Sequence, residues 1–256
     1  MRITPIMTAT TAVLALALAG CATPDPPAPT PITREARGVK AADIGHLPDL
    51  TPPERCTGHV ALTFDDGPTK LTPEILAVLD HYDVPATFFN VGLQEKALPR
   101  LVERELAAGH QVGNHTMTHP DLLSLDVDEA LEDVDAASAT HRDLTDEHVT
   151  LFRPPYGNSD AAIRAAAEDR GLTEVLWTVD SKDYEAISVD EVVENSRGMT
   201  DGGILLMHDG KPLTVEALPR VIEHYYDEGL CFGRVTPGDT ELPSNVGLTH
   251  RARASD

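Results

Sequence analysis

The chain has 256 residues, of which 42 are acidic and 20 basic, for a formal net charge of −22. That length fits one large domain plus tails, with room for a sizeable core. The charge argues against nucleic acid and against anionic polymers as tight partners, and leaves a neutral glycan compatible.

From the N-terminus, Arg2 precedes an apolar run over residues 11–19, too short to span a membrane as a mature helix. The run ends in Leu18-Ala19-Gly20-Cys21, which resembles the lipobox of bacterial lipoproteins. The resemblance implies a signal segment over 1–21, lipid on Cys21, and an exported protein held to the membrane by that anchor alone, facing the periplasm or the outside. Ala17-Leu18-Ala19 also suits an ordinary signal peptide and a secreted product. Residues 22–55 are rich in Pro, Ala and Thr without apolar periodicity and read as a tether.

Strand-like and helix-like patches then alternate. Strands are expected at 58–64, 86–91, 111–113, 149–152, 173–179 and 204–207. Helices are expected from a Thr72 cap to about Tyr82, and over 95–108, 127–143, 160–170, 189–199 and 214–228, the last stopped by Gly229. This alternation implies parallel strands with helical crossovers, and a (β/α) barrel rather than an open sheet. The domain spans 56–235, with a C-terminal tail over 236–256. Cys56 and Cys231 flank it; in an oxidising compartment they would form a disulfide fastening its ends, with two unpaired thiols as the alternative.

The polar motifs fall where strands end, the active face of such barrels. Asp65 and Asp66 follow the first strand, and side chains adjacent along a strand point to different sides, so one can bind metal while the other faces its water. His115 and His119, four apart, would share a face on a helical turn. Asp66 with both imidazoles offers three ligands to a borderline cation such as Zn²⁺, with Co²⁺ or a similar ion as an alternative, and Asp65 is left over as a base. This points to hydrolysis by a metal-activated water. Arg153, held by two prolines in Phe152-Arg153-Pro154-Pro155-Tyr156-Gly157, can clamp a carboxylate bidentately and keep it ionised. Asp180-Ser181-Lys182-Asp183-Tyr184 follows one strand, and His208 ends an apolar one with an aspartate available to it, as suits a general acid.

These five motifs, in this order, resemble those of the NodB-type polysaccharide deacetylases, carbohydrate esterase family four, over residues 58–233. The resemblance implies a distorted (β/α) barrel with fewer than eight regular units. It implies Asp65 as base, Asp66, His115 and His119 as the metal triad, usually zinc, and Arg153 as the residue orienting the base. Tyr156 takes the position whose backbone N–H helps hold the oxyanion, His208 is the acid, Asp183 tunes it, and Leu206 walls the acetyl methyl. Tyr184 stands where the family usually has Trp, a smaller aromatic wall with a hydroxyl. The motif stretch, the cysteine flanks and the compact length further resemble secreted acetylxylan esterases and chitooligosaccharide deacetylases.

The expected activity is removal of acetyl groups, from N-acetylglucosamine in peptidoglycan or chitin or from O-acetyl xylan, by a monomer that cleaves no glycan chain. A glycoside hydrolase on a similar barrel would instead release reducing ends. An envelope glycan-binding protein without turnover would leave the catalytic positions unused, and a metal-storage lipoprotein would not need a base and acid beside its ligands.

Overall fold

The computed structural model describes residues 47–236 in full and the backbone of Arg253–Ser255. The signal segment, Cys21 and most of the tether lie outside the described residues. The last stretch before the domain does pack: Leu47 and Leu50 lie against the core, and the Tyr82 hydroxyl donates to the Pro48 carbonyl at 3.1 Å.

In chain order the domain runs β1 (Gly58–Gly67), α1 (Thr72–Tyr82), β2 (Ala86–Asn90), α2 (Gly92–Ala97), α3 (Pro99–Ala107), β3 (Gln111–Asn114), α4 (Val127–Thr145), β4 (Leu151–Phe152) and α5 (Ala161–Glu168). There follow β5 (Thr173–Glu174), β6 (Val179–Asp180), α6 (Val189–Asn195), β7 (Gly203–His208), α7 (Pro212–Asp227), β8 (Leu230–Phe232) and β9 (Arg234–Thr236), with β10 (Arg253–Ser255) antiparallel to β9. The main sheet is parallel, in the order β5-β4-β3-β2-β1-β7-β6, and β8 pairs with the start of β1. This is the distorted (β/α) barrel expected, with short edge strands in place of eight full units.

The strand expected at 173–179 is two strands at opposite edges of the sheet. β5 pairs with β4, and β6 pairs with β7. Only four residues, Val175 to Thr178, join them, so the two edges must lie within roughly 17 Å along extended chain. The sheet therefore curls, and one segment spans the seam where a flat sheet would have open ends.

Side-chain alternation then sets the site. In β1, Val60, Leu62 and Phe64 join the cluster beneath α1, α6 and α7, while Ala61 faces the barrel interior with Phe89, Leu151, Val175 and Ile204. The two-residue period puts Thr63 and Asp65 on that inner face. In β7 it puts Leu206 and His208 there with Ile204, and Asp65 pairs in register with His208.

Two local expectations give way to specific causes, and two hold. The helix expected at 95–108 breaks into α2 and α3, because Pro99 excludes the helical region for Leu98, which sits at φ −132° and ψ 51°. Thr72 does not cap α1; Leu71 takes that position, and the Thr72 hydroxyl bonds Asp209 Oδ2 at 2.5 Å instead. Gly229 does end the last helix region, at φ 76°. Cys56 and Cys231 are bonded, with Cα atoms 5.5 Å apart, and tie the lead-in to β1 to β8. Native bridges of this kind stabilise small domains by about 2–5 kcal/mol.

Candidate metal centre and catalytic site

Asp65 and Asp66 do not point to different sides. The β1–β2 register shifts between Asp65 and Gly67, and Asp66 adopts a left-handed φ of 70°. This bulge turns Asp66 back beside Asp65. Both carboxylates then face His115 Nε2, Asp65 Oδ2 at 3.7 Å and Asp66 Oδ1 at 3.6 Å.

The histidines sit on no helical turn either. His115 directly follows β3, and the loop after it passes through left-handed Thr116 (φ 66°) and His119 (φ 61°). Those two kinks bring the ring centroids to 4.9 Å. Asp133 of α4 holds the loop by accepting from Met117 N at 2.6 Å, Thr118 N at 2.9 Å and Thr118 Oγ1 at 2.7 Å. Asn114 Oδ1 accepts from Thr116 N at 2.7 Å.

His119 Nε2 lies 3.2 Å from Asp66 Oδ1, and one ligand atom from each of Asp66, His115 and His119 lies within 4.8 Å of the others. Donors bound to one tetrahedral ion at about 2.0–2.1 Å sit roughly 3.3 Å apart, so the 3.2 and 3.6 Å spacings around Asp66 suit a shared cation. His115 Nδ1 is 2.7 Å from the Arg153 carbonyl, to which it donates; this tautomer leaves the Nε2 lone pair for a metal. The donor set therefore fits a divalent metal.

The charges agree. Burial alone would raise Asp66, but the hydrogen bond to His119 and the charges of His115, His208 and His119 outweigh it and bring its pKa down to about 2. Burial holds the His115 imidazole below its ordinary value, against the pull of Asp65 and Asp66. The hydrogen bond to Asp66 raises His119 in spite of partial burial.

Arg153 is fully buried and does not grip Asp65 bidentately. Its Nη1 donates to Asp65 Oδ1 at 2.7 Å and to Thr63 Oγ1 at 2.8 Å. Its Nε and Nη2 donate to the Val175 and Leu176 carbonyls, at 3.0 and 3.2 Å, on the segment crossing the barrel seam. Those bonds use the rest of the guanidinium fork and leave Asp65 Oδ2 facing the metal ligands. Phe89 lies beneath the guanidinium, 4.1 Å from its ring centre, and Trp177 is 5.6 Å away. Burial lowers the Arg153 pKa and Asp65 opposes that.

On β7, beside Asp65 in the sheet, His208 Nδ1 bonds Asp183 Oδ1 at 2.7 Å, and His208 N donates to Asp183 Oδ2 at 2.7 Å. The Thr214 hydroxyl donates to the same Oδ2. Burial alone would lower His208, yet the bond to Asp183 and the charges of Asp65, Asp183 and Asp66 raise its pKa. With Nδ1 occupied, Nε2 is the nitrogen free to donate a proton.

Two exposed aromatics flank the centre. Tyr156, at φ 60° in a 3-10 turn, puts its ring 4.9 Å from His119, and Tyr184 puts its ring 5.3 Å from His208. The Tyr184 hydroxyl donates to Asp180 Oδ2 at 3.2 Å. Leu206 is buried on the inner face of β7, paired with Thr63. The expected metal, catalytic and pocket residues within the described chain thus fall together at the strand ends, while the Cys56–Cys231 bridge lies by the start of β1 and Cys21 lies outside the described residues.

Sequence reasoning missed Thr63, Asp133, Asp209 and Thr214. Asp209 N donates to the Asp65 carbonyl at 2.8 Å, and its buried carboxylate accepts from Thr69 and Thr72. Asp209 did follow the noted His208; the other three carry no local signal and are set by packing alone.

Residues 53–175 match the family model described as polysaccharide deacetylase. A chitooligosaccharide deacetylase of Sinorhizobium fredii is 38% identical over 199 residues, covering 70% of this chain and 92% of the relative. The peptidoglycan-N-acetylglucosamine deacetylase PgdA of Listeria monocytogenes is 35% identical over 207 residues, covering 76% of this chain and 44% of the relative. Among solved structures, a family 4 carbohydrate esterase from Streptomyces lividans in complex with acetate superposes with a TM-score of 0.70 at 35% identity, covering 78% of this chain and 100% of that one.

Proposed function

This chain belongs to the polysaccharide deacetylase family, carbohydrate esterase family four, and from that premise we propose a specific assignment: hydrolysis of the N-acetyl group of N-acetylglucosamine in a glycan, with release of acetate. The observation that carries the chemistry is Asp66, His115 and His119 within bonding reach of one ion, with Asp65 and its register partner His208 at the same strand ends.

In this reading Asp66, His115 and His119 would hold a divalent cation, Zn²⁺ first, which would supply Lewis-acid polarisation and a nucleophilic water at neutral pH. Asp65 Oδ2 takes the proton of the attacking water while Arg153 fixes Oδ1. The Tyr156 backbone N–H faces the oxygen on which negative charge grows, and losing such a donor typically costs about 10²–10³ in rate. The C–N bond then breaks as His208 Nε2 gives its proton to the departing sugar nitrogen. Asp183 and Thr214 hold the ring for that transfer. Leu206 walls the acetyl methyl, and Tyr184 borders the sugar. The same groups would act on an O-acetyl ester; the amide is favoured because the S. fredii and L. monocytogenes relatives are named for deacetylation of chitooligosaccharides and of peptidoglycan N-acetylglucosamine.

We place the enzyme outside the cytoplasmic membrane as a monomer, held by lipid on Cys21 through the Pro-rich tether. Among the described residues no helix is long and apolar enough to cross a membrane. Acetate release should be measured on chitin oligomers, peptidoglycan and O-acetyl xylan in parallel. Turnover on the first two exceeding that on xylan is expected; release from xylan alone would refute the amide assignment.

A further inference from the structure

Behind the metal loop lies a buried carboxyl that the chemistry above does not use. Glu105, on α3, is wholly buried, and its Oε2 accepts from Asn90 Nδ2 at 2.7 Å. The other oxygen of each side chain, Glu105 Oε1 and Asn90 Oδ1, is buried without a hydrogen-bond partner. Two acceptors left over on a pair already joined by one bond would both be satisfied by a single proton carried by Glu105.

Asn90 is also the residue where the metal loop and the histidine strand meet. It pairs with Gly67, and its carbonyl accepts from His115 N at 3.0 Å. Its Oδ1 presses on Gly67: a Cβ at that glycine would come within 2.8 Å of it and 2.9 Å of Asp209 Oδ2. Asn90 thus meets the neighbour of Asp66 with its side chain and the backbone of His115 with its carbonyl.

We propose that Glu105 is a positioning residue of the metal centre, held as a neutral carboxylic acid whose O–H donates to Asn90 Oδ1 and closes a two-bond ring. The inference rests on the reading of Asp66, His115 and His119 as the metal site. The charged groups that act on Glu105 are Asp209, beyond β7, and Glu95 of α2, itself paired with His141 of α4 at 3.0 Å. Burial and these two anions push Glu105 well above the carboxylate range, against the opposing bond from Asn90. Folding thus takes up a proton here above pH 4.5, so the contribution to stability is complete below that pH and is lost as pH rises through the folded value.

The test uses E105Q, whose amide can make both ring bonds, and E105L, which can make neither. An infrared difference spectrum of wild type minus E105Q at neutral pH should show the carbonyl stretch of an un-ionised acid. Zn²⁺ affinity, read by competition with a chromophoric chelator, should stay within about twofold in E105Q and weaken roughly tenfold in E105L. If E105L does not fold, E105D, one methylene too short to reach Asn90, takes its place with the same expectation. An ionised carboxylate in the spectrum, a tenfold loss in E105Q, or wild-type affinity in E105L or E105D overturns the proposal. Wild type failing to bind Zn²⁺ would sink the metal reading itself, while the spectrum still judges the protonation of Glu105.

Discussion

The β1 and β7 sides of the site hold their proposed reacting groups by opposite arrangements. On the β1 side a carboxylate, Asp65, is fixed by a permanent cation, Arg153, which also bonds the carbonyls of the barrel seam. On the β7 side an imidazole, His208, is fixed by a carboxylate, Asp183, with Thr214 as its second support. The proposed base is thus built into the fold, whereas the proposed acid is held by contacts that set its proton affinity. Damage on the first side should cost structure as well as rate; damage on the second should appear mainly in the pH profile.

The largest expected effect follows from R153L. It strands Asp65 without its partner and frees the seam carbonyls, so urea unfolding should show a loss of roughly 3–5 kcal/mol along with loss of acetate release. R153K should fail similarly, since one ammonium cannot serve the directions that the planar fork serves. Next, D65N should reduce kcat by about 10²–10⁴ while metal binding persists, which separates base from ligand.

D183N should act on the pH profile. As the proposed acid His208 must carry a proton to donate, so activity should fall as pH rises through its raised pKa. Removing the Asp183 charge lowers that pKa, and the alkaline limb of kcat/KM should move to lower pH by about one unit or more. The stability that His208 gains from Asp183 is likewise full below pH 6.5 and lost as pH rises through the folded value. T214V, which removes one hydrogen bond to Asp183, should shift the same limb less, with a cost of about 1 kcal/mol. A D183N protein that loses several kcal/mol of stability with its alkaline limb unmoved would break the contrast between the two sides.

The residue types at the strand ends made the cleft legible in the sequence, because strand periodicity and barrel topology put Asp65, Leu206 and His208 on one inner face. What stayed hidden was backbone. The bulge at Asp66 and the left-handed turns at Thr116 and His119 occur at residues with no glycine to announce them. A continuous strand was expected at 173–179 because local pattern cannot tell which neighbours a strand will pair with, and here its halves pair with opposite edges. The break before Pro99 was readable from proline chemistry. The supports from Thr63, Asp133 and Thr214 were not, since each depends on contacts across the fold.

The convergence of Asp66, His115 and His119 on one cation is tested most directly by metal content and acetate release in chelator-stripped protein, with H119A in parallel. Wild type should lose turnover on stripping and regain it with about one equivalent of Zn²⁺ per chain, while H119A neither retains metal nor recovers. Full turnover in verified metal-free wild type, or an H119A protein that binds Zn²⁺ as tightly as wild type, would contradict it.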